Sequence, residues 1–399
     1  MSNWYLSPPA TLKSRPGLRY GFRRKRSEAN PSSRIEYLFD AVGKTPMHVE
    51  IGTTGSPAFG AGDTWQQLCQ AIATPVMLNN DGTEAYELDR NDQTKKADGS
   101  PSDISNPDFA GNAMVRFAGF PWVHRSRDDT YDYVIFSDVR CDESYHAYAH
   151  TNEKGQLAPA FYWGMFKGSL VKGSLRSLAD QKAMNHKTRR EEVDLARANG
   201  PGYDTIYKSG WDYIADLLTL LCKSDNGQES FGSGRCKGDS AISTGTLKAQ
   251  PGFWGNGNGL ADVKALYVEG CWGNMWEGMR GFVNAKGRLK TKMTPPYNFD
   301  GTGYYDTGIV PLGTSGGYVE QALLSDEGGY VPQRITGSET TYYCDGFWFN
   351  NAQLDYAIVG GYWPDSGRVG PRDVHLYRPP EFAAHNVCSR LAYLPPEVK

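Results

Sequence analysis

The sequence predicts an α+β protein of short strands and long loops, with two helices near its middle. Three observations carry this. The chain holds 46 glycines and 23 prolines in 399 residues, with 13 % aromatic and only 22 % charged residues. That is the composition of loops held by aromatic clusters rather than of a helical bundle. Short apolar runs bounded by turn-forming residues recur along most of the chain. Helix signals stand out in two segments between about residues 188 and 221, a capping box with a stop and an apolar repeat.

Taken in order, residues 1–63 read as an extended N-terminal arm. Pro8-Pro9, Pro16-Gly17 and Pro31-Ser32-Ser33 interrupt any long helix or strand. The apolar residues between them are too sparse for a separate core, yet Trp4, Tyr5, Leu6, Tyr20 and Phe22 favour burial. A neighbouring subunit is their expected place. The basic run Arg23, Arg24, Lys25, Arg26 has an ordinary reading as a solvated face and a sharper one as an anchor to an acidic partner surface.

Residues 64–399 read as one domain. Val76-Met77-Leu78 and Ala85-Tyr86-Glu87-Leu88 flank Asn80-Asp81-Gly82-Thr83, the composition of a hairpin turn. Asp92 to Pro107 is a polar surface loop, and Met114 to Phe117 and Tyr131 to Phe136 are further strands. Thr188-Arg189-Arg190-Glu191 has capping-box spacing, with Asn199-Gly200-Pro201 as the stop. Tyr207, Trp211, Ile214, Leu218 and Leu221 recur at helical intervals, leaving Lys208, Asp212 and Asp216 off that face. Strands and glycine-rich loops continue from Lys223 onward.

A net charge of -3 and a pI near 6.2 give no global footprint for nucleic acid. No apolar run reaches the ~18 to 20 residues of a membrane span, so no membrane insertion is expected. The opening residues lack a charged stretch followed by an apolar one, which predicts synthesis in the cytoplasm without a secretory leader. Seven cysteines, odd in number and widely spaced without C-x-x-C, speak against a disulfide framework or a structural zinc site and for buried free thiols.

The most specific motifs lie late in the chain: Gly270-Cys271-Trp272-Gly273-Asn274-Met275-Trp276-Glu277, then Gly360-Gly361-Tyr362-Trp363, then Ser389-Arg390-Leu391-Ala392-Tyr393. Gly273 and Gly361 sit beside large aromatics, where a missing Cβ permits a positive φ or a close approach to an indole face. In this order the motifs resemble the formylglycine-generating-enzyme-like (sulfatase-modifying-factor-like) branch of the C-type lectin fold. Blocks at Tyr20-Gly21-Phe22, Asp40 to Gly43, Ala158 to Gly164, Leu175-Arg176-Ser177 and Tyr342 to Asn351 resemble phage or prophage virion proteins of the tail-fibre or receptor-binding kind.

That resemblance implies a virion component made in the host cytoplasm, in contact with other virion proteins and with a host-surface receptor of carbohydrate or protein. It also implies a homo-oligomer, since symmetric assembly is the rule for such appendages. An alternative is a structural decoration of head, neck or tail. A third reading, an oxidase of the formylglycine-generating type, is disfavoured. Those enzymes place reactive cysteines shortly after the GG-aromatic-W motif, whereas Pro364-Asp365-Ser366-Gly367-Arg368 follows Trp363 and the next thiol is Cys388.

Other chemistry is equally weak in the sequence. Iron-binding relatives use His-x-x-x-His-x-Glu, but His146 and His150 are followed by a glutamate one place late, at Glu153. On a strand the two histidines would stand about 13 Å apart, too far to share a metal. Gly313-Thr314-Ser315-Gly316-Gly317 is a flexible turn, and Gly255 to Gly259 lacks the last glycine of a dinucleotide fingerprint. No cofactor is expected. Calcium held by loop oxygens, as in some lectin-like proteins, is compatible with the fold but is assigned to no residue. The binding candidates are Trp348, Asn350, Tyr362, Asp365 and Arg368, which combine flat apolar faces with directional polar groups. Trp272, Trp276 and Trp363 are expected in the core.

Overall fold

Both helices foreseen from the sequence, one from its capping box and one from its apolar repeat, form where those signals place them. The computed structural model describes residues 17–50, 56–58, 64–311 and 315–398. Its longer helices are α1 (Thr64–Ile72), α2 (Arg189–Arg197), α3 (Lys208–Cys222) and α4 (Gly227–Phe231). The capping box of α2 is complete. The Thr188 hydroxyl accepts from the Glu191 N–H, and the Glu191 carboxylate accepts from the Thr188 N–H. α3 ends at Lys223, whose φ of 53° turns the chain out of the helix. The short helices α1 and α4 have no strong signal in the sequence.

One expectation about α3 is corrected. Lys208, Asp212 and Asp216 are as buried as its apolar residues. Lys208 pairs with Asp212 on the same helix, while Asp216 receives Arg125 at 2.8 Å and also Arg372. A charge cannot stay unpaired in such a place. The helix is therefore enclosed on all sides, and the charges of its polar stripe pair inside the protein, within the helix at Lys208 and Asp212 and with other elements at Asp216.

Three sheets carry the fold. A six-stranded sheet runs in the order Tyr203–Thr205, Leu391–Tyr393, Phe161–Gly164, Gly111–Phe117, Ala73–Asn79, Glu84–Glu87. The last two strands are the expected hairpin, closed by Gly82 at φ 83°. Strand Leu391–Tyr393 inserts between two strands made long before it. The largest sheet contains Trp276–Ala285, Leu354–Val359, Val374–Leu376 and Gly346–Phe349 as consecutive neighbours, with Val387–Cys388 parallel to the start of Trp276–Ala285.

The third sheet overturns the extended arm over the part of it that is described. Arg19–Lys25 is an inner strand between Ile35–Phe39 and Tyr131–Ser137, with Trp122–Arg127 beyond. Phe22 and Ile35 belong to the main core. The boundary expected at residue 63 thus cuts through the body. Trp4, Tyr5, Leu6, Pro8, Pro9, Pro16 and Asp63 lie outside the described residues.

The basic run is corrected with it, because strand alternation sends its members different ways. Arg24 is fully buried in a two-pronged pair with Asp225, at 2.6 and 2.7 Å. Arg23 bonds Glu36, and Arg26 donates to the carbonyls of Asp128, Asp129 and Tyr131. Lys25 alone is exposed. Three of the four cations are thus engaged within the fold, and the run is not a uniformly solvated face.

The motif residues hold the body together from inside. Glu277 accepts from Arg390 at 2.7 and 2.9 Å and also from Lys167, all buried. Arg390 further donates to the carbonyls of Gly164, Met165, Glu269 and Gly270. Gly273 (φ 78°) is required by backbone, since a Cβ there would stand 2.8 Å from the N and O of Arg235. Trp272 and Trp276 are core residues, as expected. Trp363 is not. It is half-buried, packed against Tyr362 and His385.

Candidate binding face

The candidate face is laid down by register. Gly346–Phe349 runs parallel to Val374–Leu376 with Trp348 opposite His375, and Leu354–Val359 lies on the other side with Ile358 opposite His375. Residues opposite each other point to the same side of a sheet. His375 is buried between Trp276, with ring centres 3.9 Å away, and Trp348, at 4.7 Å. Trp276, Ile358 and Val387 form a small apolar bed, over which Tyr362, Phe382 and Ala384 pack.

Above this bed the turn after Trp363 is locked in place. Asp365 accepts from the Tyr362 N–H at 3.2 Å, and Ser366 (φ 56°) donates its N–H to the Cys236 carbonyl. Arg368 donates to the Asp365 carbonyl and sets its guanidinium 4.8 Å from the centre of the Trp348 ring. Four of the five candidates, Trp348, Tyr362, Asp365 and Arg368, therefore come together. Asn350 does not join them through its side chain, whose oxygen accepts from the Ala352 N–H and closes its own turn.

Sequence reasoning missed His375, Tyr377, Arg378 and Phe382. Tyr377 lies 5.2 Å from His375, and the Arg378 guanidinium stacks on both Tyr377 (4.4 Å) and Phe382 (4.5 Å). The alternation in Val374-His375-Leu376-Tyr377 was the available signal. Arg368, Trp348, His375, Tyr377 and Arg378 make an unbroken chain of ring and guanidinium contacts.

The electrostatics beneath the face are unusual. Burial, reinforced by Arg368 and Arg378, holds His375 neutral, well below its ordinary range. Burial and the neighbouring Asp365 and Asp345 hold the Asp373 carboxyl well above its ordinary range. Both Asp373 oxygens are enclosed without a hydrogen bond, and a Cβ on either Gly346 or Gly361 would stand 2.9 Å from them. Those two glycines make the room for this carboxyl. Burial also raises Asp365 to about 6.

Among the described residues, no group of three or more His, Cys, Asp or Glu side chains is placed to hold a metal ion. His146 stacks on Tyr148, and His150 is enclosed by Phe161 and Tyr213, where burial lowers it to about 3. All seven cysteines are free thiols, and six are buried as expected; Cys141 is exposed. Burial pushes Cys388 up to about 12 and Cys236 up to about 11, away from the reactive thiolate. No helix of the described residues is long and apolar enough to cross a membrane.

A separate cleft of about 580 Å³ opens beside strand Tyr203–Thr205, lined in part by Tyr207, Tyr297 and Asp204. The Asp204 carboxylate is spanned by Arg197 and Arg280, and Glu153 lines the same cleft.

No protein-family model matches the sequence, and no curated protein matches it. Among solved structures the chain is similar to the Major Tropism Determinant U1 variant, at 11 % identity and a TM-score of 0.29. It is likewise similar to the M1 variant, at 11 % and 0.30, and to the P3c variant, at 10 % and 0.29. Each comparison covers 81 % of this chain and 72 % of the other.

Proposed function

We propose that this chain is a non-enzymatic component of a phage virion that presents the face around Trp348, Tyr362, Asp365 and Arg368 to the host surface. The observation that carries the reading is the convergence of these four side chains over a rigid apolar bed. Half-buried aromatics beside arginine, fixed by a sheet below, are what recognition surfaces use, because little side-chain freedom is lost on binding. The GN-hydrophobe-WE and RLAY motifs supply the scaffold, and the blocks at Tyr20 to Phe22, Ala158 to Gly164 and Tyr342 to Asn351, which resemble those of phage virion proteins, supply the biological setting. In that setting the chain assembles as a homo-oligomer with other virion proteins.

Binding of the purified chain to susceptible cells tests the reading. Trp348→Ala combined with Tyr362→Ala is expected to lower cell binding at least tenfold in protein that still unfolds in one cooperative transition. Intact protein that binds no susceptible host would overturn it. Localising the chain in a particle separates this reading from the structural-decoration alternative, which requires a position embedded in the head or neck.

A further inference from the structure

We propose that this face takes an acidic saccharide, its rings lying on Trp348, Tyr362 and Tyr377 and its acidic groups taken by Arg368 and Arg378. The inference rests on the recognition reading above and names the ligand chemistry that the face suits. Arg368 sits on Trp348 at 4.8 Å, and Arg378 sits on Tyr377 at 4.4 Å. Between the two rings lies His375, 4.7 Å from Trp348 and 5.2 Å from Tyr377. Two guanidiniums thus bracket one aromatic strip.

Stacking on a ring holds a guanidinium in place while leaving its in-plane N–H groups available, and that planar fork matches carboxylate, sulfate and phosphate oxygens. Among the described residues neither Arg368 nor Arg378 forms a salt bridge; the Arg368 Nε–H bonds the Asp365 carbonyl and its remaining N–H groups are not used. The carboxyls nearest in charge are Asp365, Asp373 and Glu339 on the Arg368 side and Asp355 on the Arg378 side. Asp373 is enclosed beneath the face, and burial with the neighbouring Asp365 and Asp345 pushes its carboxyl well above the ordinary range. His375 is neutral and adds no charge of its own. A neutral sugar would use the rings and leave both guanidiniums idle. A repeating acidic polysaccharide uses both.

Calorimetry with the full chain provides the test, using polygalacturonate as the carboxylated probe, dextran sulfate as the sulfated one and dextran as the neutral one. At least one charged polymer is expected to bind at least tenfold more tightly than dextran, and which one does so distinguishes carboxylate from sulfate recognition. Arg368→Ala and Arg378→Ala should each lower that affinity at least tenfold with unchanged melting. Arg368→Lys, which keeps charge without the planar fork, should recover only part of it. Arg288→Ala, in an exposed pair with Asp306, should change nothing. Equal binding of dextran, or full binding by folded arginine variants, overturns the proposal. Cell binding that persists without any charged-polymer binding overturns it while leaving the receptor reading intact. So does cell binding destroyed by protease but not by periodate, which would assign an acidic protein surface instead. Charged-polymer binding without cell binding supports the ligand chemistry and counts against the receptor reading.

Discussion

Arg390 and Glu277, 113 residues apart, meet in a two-pronged ion pair inside the protein, with contacts of 2.7 and 2.9 Å. Each belongs to one of the motifs that stand out in the sequence, and Lys167 joins them from a third segment. The pairing explains why those motifs share a chain: one supplies the acid that the other needs.

Glu277→Gln should therefore destabilise the protein strongly, because it leaves Arg390 and Lys167 enclosed without their counter-charge. Breaking a buried pair from one side costs about 3 to 5 kcal/mol. Urea unfolding followed by tryptophan fluorescence measures it. Adding Arg390→Met to Glu277→Gln should cost less than the sum of the two single changes, since the second change removes a charge already stranded.

A chain beginning at Thr64 should fail to fold. It lacks both Arg19–Lys25 and Ile35–Phe39, which leaves Tyr131–Ser137 without its partner on that side, and it leaves Asp225 buried without Arg24. Circular dichroism and melting of the truncated chain check this. A cooperative transition near that of the full chain would show that the first sheet is dispensable.

Thiol chemistry should single out Cys141. With the other six thiols buried, an aromatic disulfide reagent is expected to label one thiol per native chain quickly and all of them only after denaturation. Mass spectrometry of the labelled peptides locates the site.

The stability of the protein should carry a pH signature from Asp365. Its carboxyl is raised by burial from an ordinary 3.8 to about 6, so between those values the folded state holds a proton that the unfolded state has lost. Stability then falls as pH rises through that window, by about 1.4 kcal/mol per pH unit at most. Asp365→Asn keeps an acceptor for the Tyr362 N–H and removes the titration. The difference in stability between the two proteins should grow in favour of the variant from about pH 4 to about pH 6 and then level off. A constant difference across that range would refute the assignment.

What could be read from the sequence was local or periodic. The capping box at Thr188, the apolar repeat of α3 and the turn at Gly82 need only neighbouring residues to declare themselves. Trp348, Tyr362, Asp365 and Arg368 were found by residue type, because aromatic and polar groups cluster in that stretch. What escaped depends on partners far along the chain. Arg23 to Arg26 looks like a surface run until Asp225 and Glu36 are brought to it, and Asp216 looks like a solvent-facing helix residue until Arg125 and Arg372 arrive. Alternation in Val374-His375-Leu376-Tyr377 marks a strand, but nothing within that strand tells that Trp348 and Gly346–Phe349 lie beside it.

The late strand Leu391–Tyr393 also sets a schedule for synthesis. Its two neighbours, Phe161–Gly164 and Tyr203–Thr205, leave the ribosome well before it, and Arg390 beside it is the second cation on Glu277, which Lys167 also pairs. A nascent chain paused upstream of residue 390 holds an open seam in one sheet and an incomplete ion cluster at its centre. Closure of that seam therefore waits for residues 390 to 393, however early the strands on either side of it have formed.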